Sequence, residues 1–249
     1  MRVLGKMPSY PDYVQRGLSA EEVAKWHELF SAAMAKVARD HGDAWLQTYL
    51  VGPMWYVAQA EAGRSNRALV GVMTPSVDKG GRYYPLMLLV EVQAPSLLAA
   101  LEHNQKTLLH LEQLAFDALE CDTLPPNSLF DAVAAAPKRA PSSHDSVAGE
   151  RVLADLRGCL WMEPRLASLV TEPPHYKPLT GFHESLLPKD IDLLQQALTR
   201  AQGTQHTLWI SRPSESFSQY VVLTQRYPSA PQMASMLGAN QVRTNEALS

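Results

Sequence analysis

No stretch of the 249-residue chain approaches the roughly 18 uninterrupted apolar residues of a membrane-spanning helix, so direct membrane insertion is not expected. Cysteine is scarce. Cys121 and Cys159 are the only two, and they lack Cys-x-x-Cys spacing, which suits a reducing cytosol better than a disulfide scaffold. The opening Met-Arg-Val-Leu-Gly-Lys-Met-Pro lacks the apolar core of a secretory signal, and a soluble cytoplasmic protein is expected. There is no surplus of positive charge either. A net charge of −3 gives no general attraction to nucleic acid or anionic membrane.

Catalytic signatures are missing as well. The chain contains no Gly-x-x-x-x-Gly-Lys-Ser/Thr, Gly-x-Ser-x-Gly, Gly-x-Gly-x-x-Gly or His-Glu-x-x-His. His103 and His110 are seven residues apart on one expected helix face, but no third ligand accompanies them. They are expected to be solvated, with no metal site and no cofactor.

What the chain does have is apolar pattern. Hydrophobic residues make up 46% against 19% charged, enough for a buried core. Ser19 and Glu22 form a capping-box pattern ahead of Val23, Trp26, Phe30, Ala33 and Val37, an amphipathic helix ended by Gly42. Asp43 is placed to cap a short second helix. Strands are expected at Val3–Leu4, Pro53–Ala60, Ala68–Thr74 and Leu86–Val92, and later at Cys159–Met162, His206–Ser211 and Phe217–Thr224. Further helices are expected from Pro95 to about Cys121, from Asn127 through Ala136, after Asp190, and from Ser229 to Gly238. Trp26, Trp45 and Trp55 belong in the core. The meander over 53–92 must be partly antiparallel, because its connections are too short for crossovers. Interleaved helices and strands predict an α/β domain with helices on both faces of a sheet. Residues 136–148 read as a flexible loop and the tail 239–249 as frayed.

The most informative segment is Gly71 to Pro85. Between two apolar runs it sets Ser76, Asp78, a Gly80–Gly81 pair and Arg82, more than a tight hairpin needs. The N-terminal loop carries Lys6, Ser9, Asp12 and Arg16, and Arg–Asp pairs between the two loops are possible. These seven residues are the candidate site. They either lock the loops over the sheet edge or present a surface to a partner. A third reading is a phosphate- or small-molecule-binding enzyme using the 76–82 loop, but no helix start follows the glycines.

Several blocks together resemble the TagF (ImpM) family of type VI secretion-associated proteins. They are Gly5-Lys6-Met7-Pro8-Ser9 with Asp12-Tyr13-Val14 and Arg16, then Asp43-Ala44-Trp45-Leu46 with Pro53-Met54-Trp55. The most characteristic runs from Gly71 through Pro75-Ser76-Val77-Asp78 to Gly81-Arg82-Tyr83-Tyr84-Pro85, and Thr207-Leu208-Trp209 and Met233 to Gly238 match more loosely. Where the family has His-Gly before the first Asp, Tyr10-Pro11 stands here. The resemblance implies a single three-layer α/β/α sandwich over 1–238 with a mixed, partly antiparallel central sheet. It also implies a cytoplasmic, post-translational regulator that represses the secretion apparatus by binding a forkhead-associated scaffold of the Fha type. No enzymatic activity comes with it.

Overall fold

The computed structural model describes residues 1–61, 66–138, 159–162, 205–212 and 220–239. The expected helix after Asp190, the loop at Gly203, the turn at 213–216, most of the 136–148 loop and the tail beyond Ala239 lie outside the described residues.

Among the described residues, eight strands form one sheet: β1 (Arg2–Gly5), β2 (Val14–Arg16), β3 (Trp55–Ala60), β4 (Arg67–Thr74), β5 (Leu86–Gln93), β6 (Cys159–Met162), β7 (His206–Ser211) and β8 (Tyr220–Gln225). Their order is β2-β1-β5-β4-β3-β7-β8-β6. The meander β3-β4-β5 is antiparallel as expected, with β4 and β5 in register from Arg67↔Gln93 to Thr74↔Leu86. The mixed central sheet is corrected, however: every pairing from β2 to β8 is antiparallel. The parallel component is confined to β6, which runs beside β8 at one edge.

The unbroken apolar run of β5 is explained by cover on both faces. Leu86, Leu88, Val90 and Val92 join one apolar cluster, Met87 and Leu89 the other, following the two-residue alternation of a strand. The second cluster takes α1 (Ala20–His41) through Trp26, Leu29, Phe30, Ala33 and Val37, with Tyr49 of α2 (Trp45–Leu50). The first takes α3 (Leu97–His103), α4 (Gln105–Glu120) and α5 (Pro126–Ala134) through Leu101, Leu111, Ala115 and Val133. Among the described residues no helix is long and apolar enough to cross a membrane.

Local chemistry sets the boundaries. Ser19 Oγ accepts from the Glu22 amide at 3.2 Å while the Glu22 carboxylate accepts from the Ser19 amide at 3.0 Å, so the capping box starts α1 as expected. The same device, Ser229 with Gln232, starts α6 (Ala230–Ala234), which runs on into a π-helical turn, Ser235–Ala239. Asp43 makes no such cap; it sits in a 3-10 turn, Gly42–Ala44. The single helix expected over 95–121 is two. Asn104 breaks it, its side-chain amide donating to the Ala100 carbonyl at 2.9 Å, a local bond that competes with the helical ladder. Asn127 is not a cap either, because the cap position falls two residues earlier, at Pro125, and α5 starts at Pro126. β2, read as loop from sequence, is a three-residue edge strand.

This topology brings two loops together. β1 ends at Gly5 beside the start of β5, Leu4 pairing with Met87, so residues 6–13 leave the sheet where the β4–β5 connection arrives.

Candidate functional site

Of the seven candidate residues, four form one node. Lys6 and Asp78 are buried, and the Lys6 Nζ donates to Asp78 Oδ2 at 2.8 Å with side-chain exposures of 3% and 0%. Arg82 Nε donates to the same oxygen at 2.7 Å. The other oxygen, Oδ1, accepts the backbone amides of Gly80 and Arg82, each at 2.9 Å. A carboxylate has about four acceptor directions, and this one has four donors. Ser76 Oγ donates to the Lys6 carbonyl at 2.7 Å, tying the two loops a second time. The Lys79 amide donates to the Tyr10 carbonyl at 3.2 Å, and Arg82 Nη2 to the Pro11 carbonyl.

The expected Arg–Asp pairing across loops is therefore corrected. The cross-loop ion pair is Lys6–Asp78, and Arg82 meets Asp78 within its own loop. Asp12 is exposed, and its Oδ1 accepts from the Tyr13 amide at 2.7 Å. Arg16 lies 4.5 Å over the Phe130 ring and donates to Asn127 at 3.1 Å. Ser9 donates to the Leu124 carbonyl at 2.6 Å. These last two tie the N-terminal loop to the α4–α5 side, away from Asp78.

Burial alone would push the Asp78 carboxyl upward. The Lys6 ammonium, the Arg82 amide and the Arg82 guanidinium outweigh it and hold the group at about 2, below its ordinary 3.8. The unfolded chain therefore takes up this proton first on acidification. The contribution is complete above about pH 4 and is lost as pH falls toward 2. We expect acid denaturation followed by circular dichroism to show that loss in the wild type. In a Lys6→Met/Asp78→Asn variant that part of the pH dependence should be missing.

Sequence reading missed the clamp beneath the node. The Tyr49 hydroxyl donates to the Ser76 carbonyl at 3.1 Å and accepts from the Ser76 amide at 3.0 Å. Burial pushes its ionisation well above the ordinary tyrosine range, so it stays a neutral donor. Tyr49→Phe leaves the buried Ser76 amide unpaired, while the Ser76 carbonyl keeps the Tyr84 amide at 3.0 Å, and should cost about 1–2 kcal/mol in urea unfolding. An unchanged midpoint would show that water replaces the hydroxyl. Around it, Tyr83 packs edge-on against Trp45 at 5.5 Å between ring centroids, and Lys6 Nζ stands 4.6 Å over the Tyr13 ring. Trp26 and Trp55 are core residues as expected, whereas Trp45 is half-buried.

Elsewhere, a cleft of about 290 Å³ is lined by Arg2, Gln59, Glu61, Gln205 and Arg226 among others. Its guanidiniums are engaged: Arg2 and Arg226 each meet Glu22 Oε1 at 2.7 Å, and Arg2 also meets Glu61 at 2.7 Å. His103 and His110 are half-buried rather than solvated. Among the described residues no three metal-ligating side chains gather.

Together the fold and node define an antiparallel α/β domain whose two signature loops are riveted by a buried ion pair. The family model of the TagF N-terminal domain, type VI secretion system-associated, matches residues 3–136, more than half of the chain. The chain belongs to this family. A crystal structure of PA0076 from Pseudomonas aeruginosa PAO1 is similar in fold, with a TM-score of 0.59 and 24% identity over 95% of this chain and 93% of that one. No curated protein matches at a significant level.

Proposed function

We propose that this type VI secretion-associated protein is a cytoplasmic, post-translational repressor that acts by binding an Fha-type scaffold and carries out no chemistry. We also read residues 1–238 as one TagF-like domain with three α/β/α layers, a reading supported by the two apolar clusters that take helices against opposite faces of the sheet.

One observation carries the functional reading. All four acceptor directions of Asp78 are filled by the protein itself, and the Gly80 and Arg82 amides that would cradle a phosphate point at that carboxylate instead. The loop is thus a shaped surface rather than a reaction centre. Binding energy for a protein comes from such pre-set faces.

The test pairs purified chain with purified scaffold, and a chromosomal deletion with an effector-secretion assay. Co-elution and raised secretion in the deletion are expected. Absence of both would sink the proposal. Against the enzyme alternative, a thermal-shift screen of nucleotides and phosphorylated metabolites should be flat, since a true ligand at 100 times its Kd stabilises by about 2.7 kcal/mol.

A further inference from the structure

The node has an outer surface, and its composition is uneven. Four large hydrophobic side chains are exposed among the described residues: Tyr10, Leu50, Val51 and Leu109. Three of them stand at the end of the sheet where the 75–85 loop lies. Tyr10 is bonded to Lys79 through its carbonyl. Leu50 and Val51 follow Tyr49, whose hydroxyl holds Ser76, and Gly52 stands against Pro75. Leu50, the last residue of α2, and Val51, just past it, are 52% and 57% exposed, and clustered exposed apolar groups mark interaction sites.

The charged groups on this rim also favour one sign. The node sets two cations, Lys6 and Arg82, against the single Asp78 carboxylate that both meet, so it carries net positive charge, and the 60%-exposed Arg82 side chain is its outer part. Lys79 is exposed and has no ion-pair partner among the described residues. The one exposed carboxylate in the N-terminal loop, Asp12, is turned back on the Tyr13 amide. On a chain of net charge −3 this is a local positive spot beside apolar side chains.

We infer that Lys79, Arg82, Tyr10, Leu50 and Val51 form the docking rim for a segment of the partner protein in which carboxylates flank apolar side chains. The carboxylates meet Lys79 and Arg82, and the apolar groups cover Leu50 and Val51. An apolar centre with charged surroundings is the usual anatomy of a protein interface, and the charge match selects acidic over basic segments. This inference rests on the scaffold-binding reading above and assigns it a face.

The test measures binding of the full chain to purified Fha-type scaffold by titration calorimetry, at low and high salt. The variants are Lys79→Glu, Leu50→Asp and, as a control on α4 elsewhere, Leu109→Asp. All three sites are exposed, so melting temperatures should match the wild type. Lys79→Glu and Leu50→Asp should each weaken binding about tenfold or more, Lys79→Glu should flatten the salt dependence, and Leu109→Asp should bind normally. Wild-type affinity in all three variants overturns the rim and leaves scaffold binding intact. No binding by the wild type itself overturns the functional reading and this inference with it. A dimer in sedimentation that Leu50→Asp dissociates overturns the choice of occupant, since the rim would then cover a second copy.

Discussion

Asp78→Asn should cost the folded state about 3–5 kcal/mol, because it leaves the Lys6 ammonium buried without its carboxylate. The loss is mainly the penalty on the stranded charge, not the worth of the pair. Asn retains the oxygen that accepts the Gly80 and Arg82 amides, so the loop's backbone bonds survive the change. Adding Lys6→Met should therefore recover much of the loss, on the order of 2 kcal/mol or more, as neutral replacement of buried ion pairs commonly does. Guanidinium unfolding of the two singles and the double gives the coupling energy. If the single losses simply add, Lys6 and Asp78 do not act as a pair.

Gly5→Ala should be comparably severe for a different reason. Gly5 sits at φ 145°, and a methyl carbon on its Cα would stand 2.2 Å from the Pro85 carbonyl oxygen and 2.6 Å from the Leu86 Cα. Both obstacles are backbone and cannot rotate away. Strain in an unfavourable conformation and forced separation of β1 from β5 together should cost about 3–5 kcal/mol. Gly81→Ala is the informative contrast. Its φ is 77°, but nothing lies within 4 Å of the added carbon, so only the left-handed conformation is penalised, by roughly 1–2 kcal/mol. Thermal melts of the two variants separate close packing from turn conformation. Equal losses would contradict that division.

These positions also show which parts of the molecule could be read in the sequence. Local chemistry was legible. The Ser19–Glu22 box, the Ser229 cap and the apolar run of β5 all lie within a few residues. What escaped depends on partners distant in the chain. Nothing near Lys6 indicates that its partner lies 72 residues away, or that β7 inserts between β3 and β8. Nothing in the sequence singles out Tyr49, because its role is defined only when its hydroxyl reaches the Ser76 backbone, 27 residues on. β2 is too short for a periodic signal and exists because β1 gives it an edge. Arg16, grouped with the node by charge and proximity in sequence, finds Phe130 and Asn127 instead. Residue type suggested a charge pair; only the fold chose its members.

The central claim is that the buried Lys6–Asp78 pair, with Arg82 on its outer side, shapes a binding face and takes no part in chemistry. The most direct measurement is effector secretion from cells whose chromosomal copy carries Lys6→Met/Asp78→Asn, with immunoblotting for protein level. Secretion at the wild-type level, distinct from that of the deletion, is the predicted result. Secretion matching the deletion, with the variant folded and normally abundant, would mean that the charges themselves perform the function.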